Sequence, residues 1–156
     1  MNVYEELQDI ACNDGIEVVD DYPFNSDRID GLYCDNVIAI ASHLKNSSEK
    51  ACVLAEELGH HYTAVGNIID QSNDENRKQE IRGRVLAYNQ LVGLTGLIDA
   101  YKNHCQNAHE VAEYLGVTDE FLFDTLEYYK SKYGCCKKVR NHIIFFEPTI
   151  AIMEVL

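Results

Sequence analysis

A predicted β-hairpin followed directly by a long helix is the feature that most constrains the fold of this chain. Residues 31–40 (GLYCDNVIAI) predict the hairpin, because the turn-forming residues Asp35 and Asn36 precede a second half rich in β-branched side chains. Residues 48–64 then predict a helix with its apolar residues on one side and an N-cap supplied by residues 44–48. Local strands beside helices indicate an α+β fold.

The same patterns predict the remaining elements. They are a helix at 3–13, a short strand at 16–19, a loop at 20–31, a polar loop at 70–76, a second long helix at about 77–92, two or three short helices at 104–133, and two short strands around a turn at 141–156. The chain shows neither an internal repeat nor a low-complexity linker, so we expect one compact unit.

Charge and cysteine usage narrow the classes of function. The formal net charge is -13, from 26 acidic and 13 basic residues, which argues against binding of a phosphate backbone as the main activity. The six cysteines show no C-x-x-C spacing. The N-terminus lacks the basic region of a signal peptide, and no segment approaches the roughly 20 apolar residues of a membrane span. We therefore expect a cytoplasmic protein with reduced thiols.

The first long helix carries a set of residues typical of a metal site. Glu56 and His60 are four apart, so they project from nearly the same face of a helix, and Glu57 lies one step round. In zinc proteases, H-E-x-x-H uses this spacing for two ligands and a catalytic carboxylate. The next helix offers Glu80 as a third ligand. A metal there would lower the pKa of bound water from about 15.7 toward 7, with Glu57 as general base.

Each of these residues has a plainer interpretation. Acids and histidines on one helix are often a solvated polar face, and Glu80 could simply pair with Arg84 one turn on. A second register exists, because Glu57 and His61 are also four apart. His61 could be a ligand, a hydrogen-bond donor to substrate, or an exposed neighbour. Tyr88, two turns beyond Glu80, could donate to an oxyanion or pack as a half-buried aromatic residue.

At these residues the sequence resembles the ImmA/IrrE metallopeptidases of mobile genetic elements. The resemblance includes the strand ending NVIAI, the helix EKACVLAEELGHHYT and the following helix, where the family shows E-x-x-A-N-x-F-A-x-x-L. Of that pattern, Glu80, Leu86, Ala87 and Leu91 match, while Gly83 replaces Ala and Arg84 replaces Asn. The segment EVAEYLGVTDEFLFDTLEYYKSKYG is similar to the C-terminal part of the phage-type branch, so the resemblance covers roughly residues 1–134.

The resemblance implies a zincin-like metallopeptidase core over residues 1–100. A helical segment over 101–140 would pack on this core, and 141–156 would form a β-hairpin-like tail. It also implies zinc as cofactor, His60 and Glu80 as ligands, Glu57 as general base, and an Xre-type repressor as the protein substrate.

The departure from the family lies at Glu56, where the first ligand is usually His. A carboxylate can bind zinc, but a set with two carboxylates is harder and shifts preference toward metals such as manganese. The alternative is therefore a non-catalytic module of the same fold that binds the repressor without cutting it.

Residues 111–122 have the helix, glycine turn and second helix of a helix-turn-helix motif. The second helix opens with Asp119 and Glu120, which would face phosphates with the wrong charge. Its apolar positions suit a packing surface. We therefore expect a platform for a protein partner and no direct contact with nucleic acid.

Overall fold

The computed structural model describes residues 1–64 and 73–156, which form two compact units, Met1–Ala87 and Tyr88–Leu156. In chain order the elements are α1 (Val3–Asn13), β1 (Glu17–Tyr22), β2 (Gly31–Cys34), β3 (Val37–Ala41), α2 (Ser47–Ala64), α3 (Asn73–Leu91), α4 (Gly93–Lys102), α5 (Ala108–Leu115), α6 (Asp119–Tyr133), β4 (Cys136–Val139), β5 (His142–Phe145) and β6 (Ala151–Glu154). Small sheets accompanied by helices confirm the predicted α+β class. The division at residues 100 and 140 stays a prediction.

The sheet of the first unit has the order β1-β3-β2, so β3 is central. β2 and β3 pair antiparallel, and Asp35 and Asn36 at the turn have φ of 46° and 64°. Two consecutive left-handed residues are typical of the tight turn that matches strand twist, which confirms the predicted hairpin. β1 pairs parallel with β3 and continues to Tyr22. The predicted loop is therefore wrong for residues 20–22. Backbone pairing with β3 extends the strand there, although the polar side chains of these residues give no strand pattern in the sequence.

The core of the first unit forms between its sheet and helices α1 and α2. Asn2 caps α1 in a reciprocal capping box with Glu5, and Leu7 and Ala11 are buried. On α2, the apolar residues recur at helical spacing and are fully buried; they are Ala51, Leu54, Ala55 and Leu58. Burial of this stripe fixes the rotation of α2 about its axis, and hence the directions in which its polar residues point.

The second unit contains two elements that the sequence patterns missed. Helix α4 includes Gly93 and Gly96, which disfavour a helix in sequence-based reasoning. Strand β4 carries Lys137 and Lys138 at an edge of the sheet β4-β5-β6, where charged side chains are common. The antiparallel pair β5–β6 confirms the two strands predicted for the C-terminal tail.

The predicted helix, turn and second helix at 111–122 correspond to α5 and α6. Gly116 adopts the left-handed conformation at the end of α5, with φ of 74°, as helix-terminating glycines do. The side chain of Thr118 accepts a hydrogen bond from the backbone N–H of Phe121 and caps α6.

The second long helix begins earlier than its apolar period indicates. The predicted polar loop at 70–76 is wrong for residues 73–76, which belong to α3, because polar residues suit the first turn of a helix and leave the hydrophobic period silent there. Residues 70–72 lie outside the described residues. Across the described ranges, no helix is both long and apolar enough to cross a bilayer.

Candidate metal centre

The polar residues of α2 lie beside its buried stripe and form the candidate centre within the first unit. The imidazole of His60 is held between two carboxylates. Its Nδ1 lies 3.1 Å from Glu57 Oε2, and its Nε2 lies 3.1 Å from Glu80 Oε2 on α3. The structure therefore brings together three of the four residues that the sequence analysis assigned to the site.

The contact with Glu57 determines which nitrogen of His60 carries the proton when the ring is neutral. An ionised carboxylate can only accept a hydrogen bond, so Nδ1 donates to Glu57 Oε2. Nε2 then presents a lone pair. A hydrogen bond from the second ring nitrogen to a carboxylate is the usual support of a metal-binding histidine, since it fixes the tautomer and orients the ring.

The Nε2 atom of His60 supplies the test of whether a metal fits. The side chain is 24% exposed, yet Nε2 itself is buried and has no hydrogen-bond partner among the described residues. Its close approach to Glu80 Oε2 lacks the direction of a hydrogen bond. Two electron-rich atoms 3.1 Å apart repel each other unless a proton or a cation lies against both. A metal that binds nitrogen and oxygen at about 2.0–2.2 Å suits this pair.

Two glycines allow α2 and α3 to approach closely enough for this contact. A Cβ built on Gly59 would lie 2.2 Å from the carbonyl oxygen of Gly83, and a Cβ built on Gly83 would lie 2.7 Å from His60 Cδ2. A Cβ at Gly59 would overlap backbone atoms, whereas a Cβ at Gly83 would force the ring of His60 to move. Small residues at a helix crossing thus place Glu80 against His60, and this role of Gly59 and Gly83 was not predicted from the sequence.

Glu80 divides its two oxygens between neighbours. Oε2 faces His60, and Oε1 lies 3.7 Å from Arg84 Nη2. The predicted pairing of Glu80 with Arg84 is therefore present alongside the contact with His60. Because the Glu80 side chain is 48% exposed, the contact with Arg84 is a solvated ion pair of small energetic value.

Glu56 differs from the other acids in its electrostatics. The pKa of its carboxyl group is raised to about 7, mainly by burial and also by the charges of Glu57 and Glu80, against the opposing effects of Arg84 and His60. Among the described side chains, those of residues 1–63 and 77–156, no group of three or more His, Cys, Asp or Glu is arranged to hold a metal ion. The described arrangement brings two candidate ligands, His60 and Glu80, to each other, and Glu56 would need to lose its proton to act with them.

The pKa of His60 is raised, whereas burial alone would lower the pKa of a histidine. The hydrogen bond to Glu57 raises the pKa of His60 and outweighs burial, which lowers it, and the charges of Glu57, Glu80 and Glu56 add to the increase. Three surrounding acids therefore stabilise positive charge at this position. A proton on Nε2 can supply that charge, and so can a divalent cation.

His61 points to a different partner, Tyr33 on β2. Its Nδ1 lies 2.8 Å from the hydroxyl oxygen of Tyr33, and the two rings meet edge to face. Of the two residues in the alternative register of α2, Glu57 contacts His60 and His61 contacts Tyr33. Sequence reasoning missed Tyr33, although a tyrosine on a strand predicted to lie before the helix was an available signal.

Tyr88 belongs to the second unit. Its ring is buried and packs against Phe121 and Tyr128, with centroid distances of 5.3 and 5.9 Å. These contacts support the packing alternative for Tyr88.

Comparison with known proteins adds one finding. The Peptidase_M78 family model, described as an IrrE N-terminal-like domain, matches residues 10–127, a segment that includes α2 and α3. No curated protein and no solved structure matches the chain.

Proposed function

We propose that this chain, which belongs to the Peptidase_M78 family of IrrE N-terminal-like domains and so has a metallopeptidase-type function, is a zinc-dependent endopeptidase with a zincin-like core. The observation that carries the proposal is the buried Nε2 atom of His60, which has no hydrogen-bond partner among the described residues and faces the carboxylate of Glu80, while Glu57 lies at Nδ1.

His60 and Glu80 would hold the metal, with Glu56 as third ligand once its carboxyl group is ionised. The metal supplies Lewis acidity to a peptide carbonyl and to water when it is bound. A nitrogen with carboxylate oxygens suits zinc, and the excess of oxygen donors makes manganese the alternative.

Glu57 has two tasks in this proposal, one for each oxygen. Oε2 accepts the hydrogen bond from His60 Nδ1 and keeps the imidazole in the tautomer that exposes Nε2. We assign Oε1 the role of general base, which takes a proton from the attacking water and delivers it to the nitrogen of the leaving amine. The Glu57 side chain is only 12% exposed, so the proton is held away from bulk solvent.

We propose an Xre-type repressor of a mobile genetic element as the substrate. A repressor that binds DNA carries basic residues for phosphate contacts, and this chain carries a net charge of -13, so the two would attract each other. Helix α6, which opens with Asp119 and Glu120 and exposes 63% of Phe123, is the surface we assign to a protein partner. No disulfide is assigned among the described cysteines, which suits the reducing cytoplasm.

The test is incubation of a purified Xre-type repressor with the purified protein, supplied with Zn²⁺ or with Mn²⁺. We expect fragments with the wild type and intact repressor with Glu57→Gln. Glutamine retains an oxygen that accepts from His60 Nδ1, so this variant should still bind the metal and the repressor. Fragments from both proteins would contradict the role of Glu57.

A second function is favoured by Glu56. Because its raised pKa keeps the carboxyl group protonated up to about neutral pH, the third ligand is weak, and a binding module that holds the repressor without cutting it would have the same fold. Wild-type protein that is loaded with either metal and binds the repressor, yet leaves it intact, would establish that function in place of the first.

A further inference from the structure

The pair formed by Tyr33 and His61 lies beside the candidate centre and has no part in the function proposed so far. Tyr33 belongs to β2, an edge strand of the first sheet, and His61 follows His60 on α2. The 2.8 Å contact between Tyr33 Oη and His61 Nδ1 joins the two elements. The hydrogen bond between Tyr33 and His61 therefore affects which polar groups are available on the surface next to His60.

The position of the pair follows from two periodicities. A Cβ built on Gly31 would lie 3.2 Å from Glu57 Cγ, so that face of β2 lies against the Glu57 side of α2. Tyr33 is two residues along the strand and shares this face, while His61 is four residues along the helix from Glu57. Side chains four apart on a helix have Cβ atoms about 5–6 Å apart. The Tyr33–His61 pair thus lies one helical turn from Glu57.

The Tyr33 hydroxyl group can either donate to His61 Nδ1 or accept a hydrogen bond from it, depending on the tautomer of the ring. As a donor, it has two atoms within reach, His61 Nδ1 at 2.8 Å and Asn36 Oδ1 at 3.4 Å. A phenol has one proton to donate, and the shorter contact to an imidazole nitrogen gives the stronger hydrogen bond. When Nδ1 accepts, the proton of the neutral ring is on Nε2.

With Tyr33 as the donor, the two adjacent histidines would be held in opposite tautomers. His60 donates through Nδ1 to Glu57 and offers a lone pair at Nε2, whereas His61 accepts at Nδ1 and offers a proton at Nε2. The first arrangement suits a cation, and the second suits an oxygen that gains negative charge.

We propose that Tyr33 is a positioning residue that holds His61 with its Nε2–H as a donor to the carbonyl oxygen of a bound peptide. The hydrogen bond strengthens as that oxygen becomes an oxyanion during attack by water, so it lowers the barrier more than it strengthens substrate binding. This role rests on the proposed peptidase function. If the Tyr33–His61 contact only fastened β2 to α2, it would not stabilise the transition state more than the bound substrate.

The first measurement reads the tautomer directly and needs neither metal nor turnover. In ¹⁵N-labelled protein at mildly alkaline pH, the two ring nitrogens of His61 should show the proton on Nε2, and Tyr33→Phe should shift the ring signals toward a mixture of tautomers. A proton found on Nδ1 in the wild type would overturn the proposal.

The second measurement uses cleavage of the Xre-type repressor by the zinc-loaded protein. His61→Phe removes the donor and should lower kcat by about 10²–10³-fold, as loss of an oxyanion donor does, with KM nearly unchanged. Tyr33→Phe retains the His61 imidazole but removes the hydrogen bond that holds it in position. We therefore expect kcat to decrease by about tenfold, which is less than the effect of losing the donor itself.

Tyr62→Phe is the matched control, because it removes a hydroxyl from the adjacent residue of the same helix. That hydroxyl pairs with Asp14, away from β2, so kcat should stay at the wild-type value. Equal kcat in wild type, Tyr33→Phe and His61→Phe would overturn the positioning role while leaving the peptidase function intact. An inactive wild type would instead refute the peptidase function and the catalytic use of His61 with it.

Discussion

Replacing Gly83 by alanine should weaken metal binding without unfolding the protein. The added Cβ would lie 2.7 Å from His60 Cδ2 and 3.3 Å from the His60 backbone nitrogen. Nonbonded carbon atoms settle at about 3.5–4.0 Å, so the imidazole must retreat by about 1 Å. The ring is tied to Glu57 through Nδ1, and this displacement strains the bond that orients Nε2.

The size of the effect follows from the tolerance of metal coordination. Ligand distances at metal sites hold to about 0.2 Å, far less than the displacement that Gly83→Ala imposes. Loss of a group that orients a ligand typically costs about 10–100-fold in metal affinity, or about 1.4–2.7 kcal/mol. Alanine also favours a helix over glycine by about 0.5–1 kcal/mol, which offsets part of the clash in the metal-free protein.

The assay is a competition titration of Zn²⁺ against a chromophoric chelator, combined with thermal unfolding of the metal-free protein. Gly96→Ala is the matched control, because it makes the same change within another helix, α4. The added Cβ would lie 3.4 Å from Leu115 Cδ2, which is an ordinary contact distance. We expect wild-type zinc affinity in the control and a 10–100-fold loss in Gly83→Ala, as estimated above. Unchanged zinc affinity in Gly83→Ala would refute the claim that this glycine positions His60.

Three further predictions concern neighbouring positions. Burial raises the pKa of Glu56 from an ordinary 4.5 to about 7, so the metal-free folded state binds this proton more tightly than the unfolded state does. The free energy of unfolding, measured in urea, should therefore fall as pH rises from 4.5 to about 7, by at most about 3 kcal/mol. Glu56→Gln should flatten that fall, and an unchanged slope would contradict the burial of the carboxyl group. Glu56→His should increase repressor cleavage if the carboxylate is a weakened ligand, whereas no gain in kcat would show that a carboxylate is the working ligand here. Gly59→Ala should destabilise the protein by about 1–3 kcal/mol in urea unfolding, because its Cβ would lie 2.2 Å from a backbone oxygen of Gly83, and a wild-type midpoint would disprove the close helix crossing.

The sequence was most informative where local periodicity decides the structure. The four-residue spacing of Glu56 and His60 places both on α2, and Glu80 of α3 lies 3.1 Å from His60, as expected for two successive helices that share a site. The hairpin turn at Asp35 and Asn36 also follows from local backbone preference. Each of these features depends on a few neighbouring residues.

Features that depend on tertiary contacts were outside the reach of such reasoning. The contact of Gly59 with Gly83 arises where two helices cross, and Tyr33 meets His61 across a strand and a helix. The raised pKa of Glu56 depends on burial. A helical period indicates which face of a helix is apolar, but it does not show how deeply a polar residue beside that face is buried. The glycines of α4 and the lysines of β4 likewise follow packing and edge position, which override propensity.

The binding of a metal by His60 and Glu80 is tested most directly by anomalous diffraction from crystals grown with Zn²⁺. We expect an anomalous peak at about 2.0–2.2 Å from His60 Nε2 and from a carboxylate oxygen of Glu80, and no such peak in crystals of His60→Ala. Zinc bound elsewhere, with His60 Nε2 hydrogen-bonded to a protein group, would contradict the account.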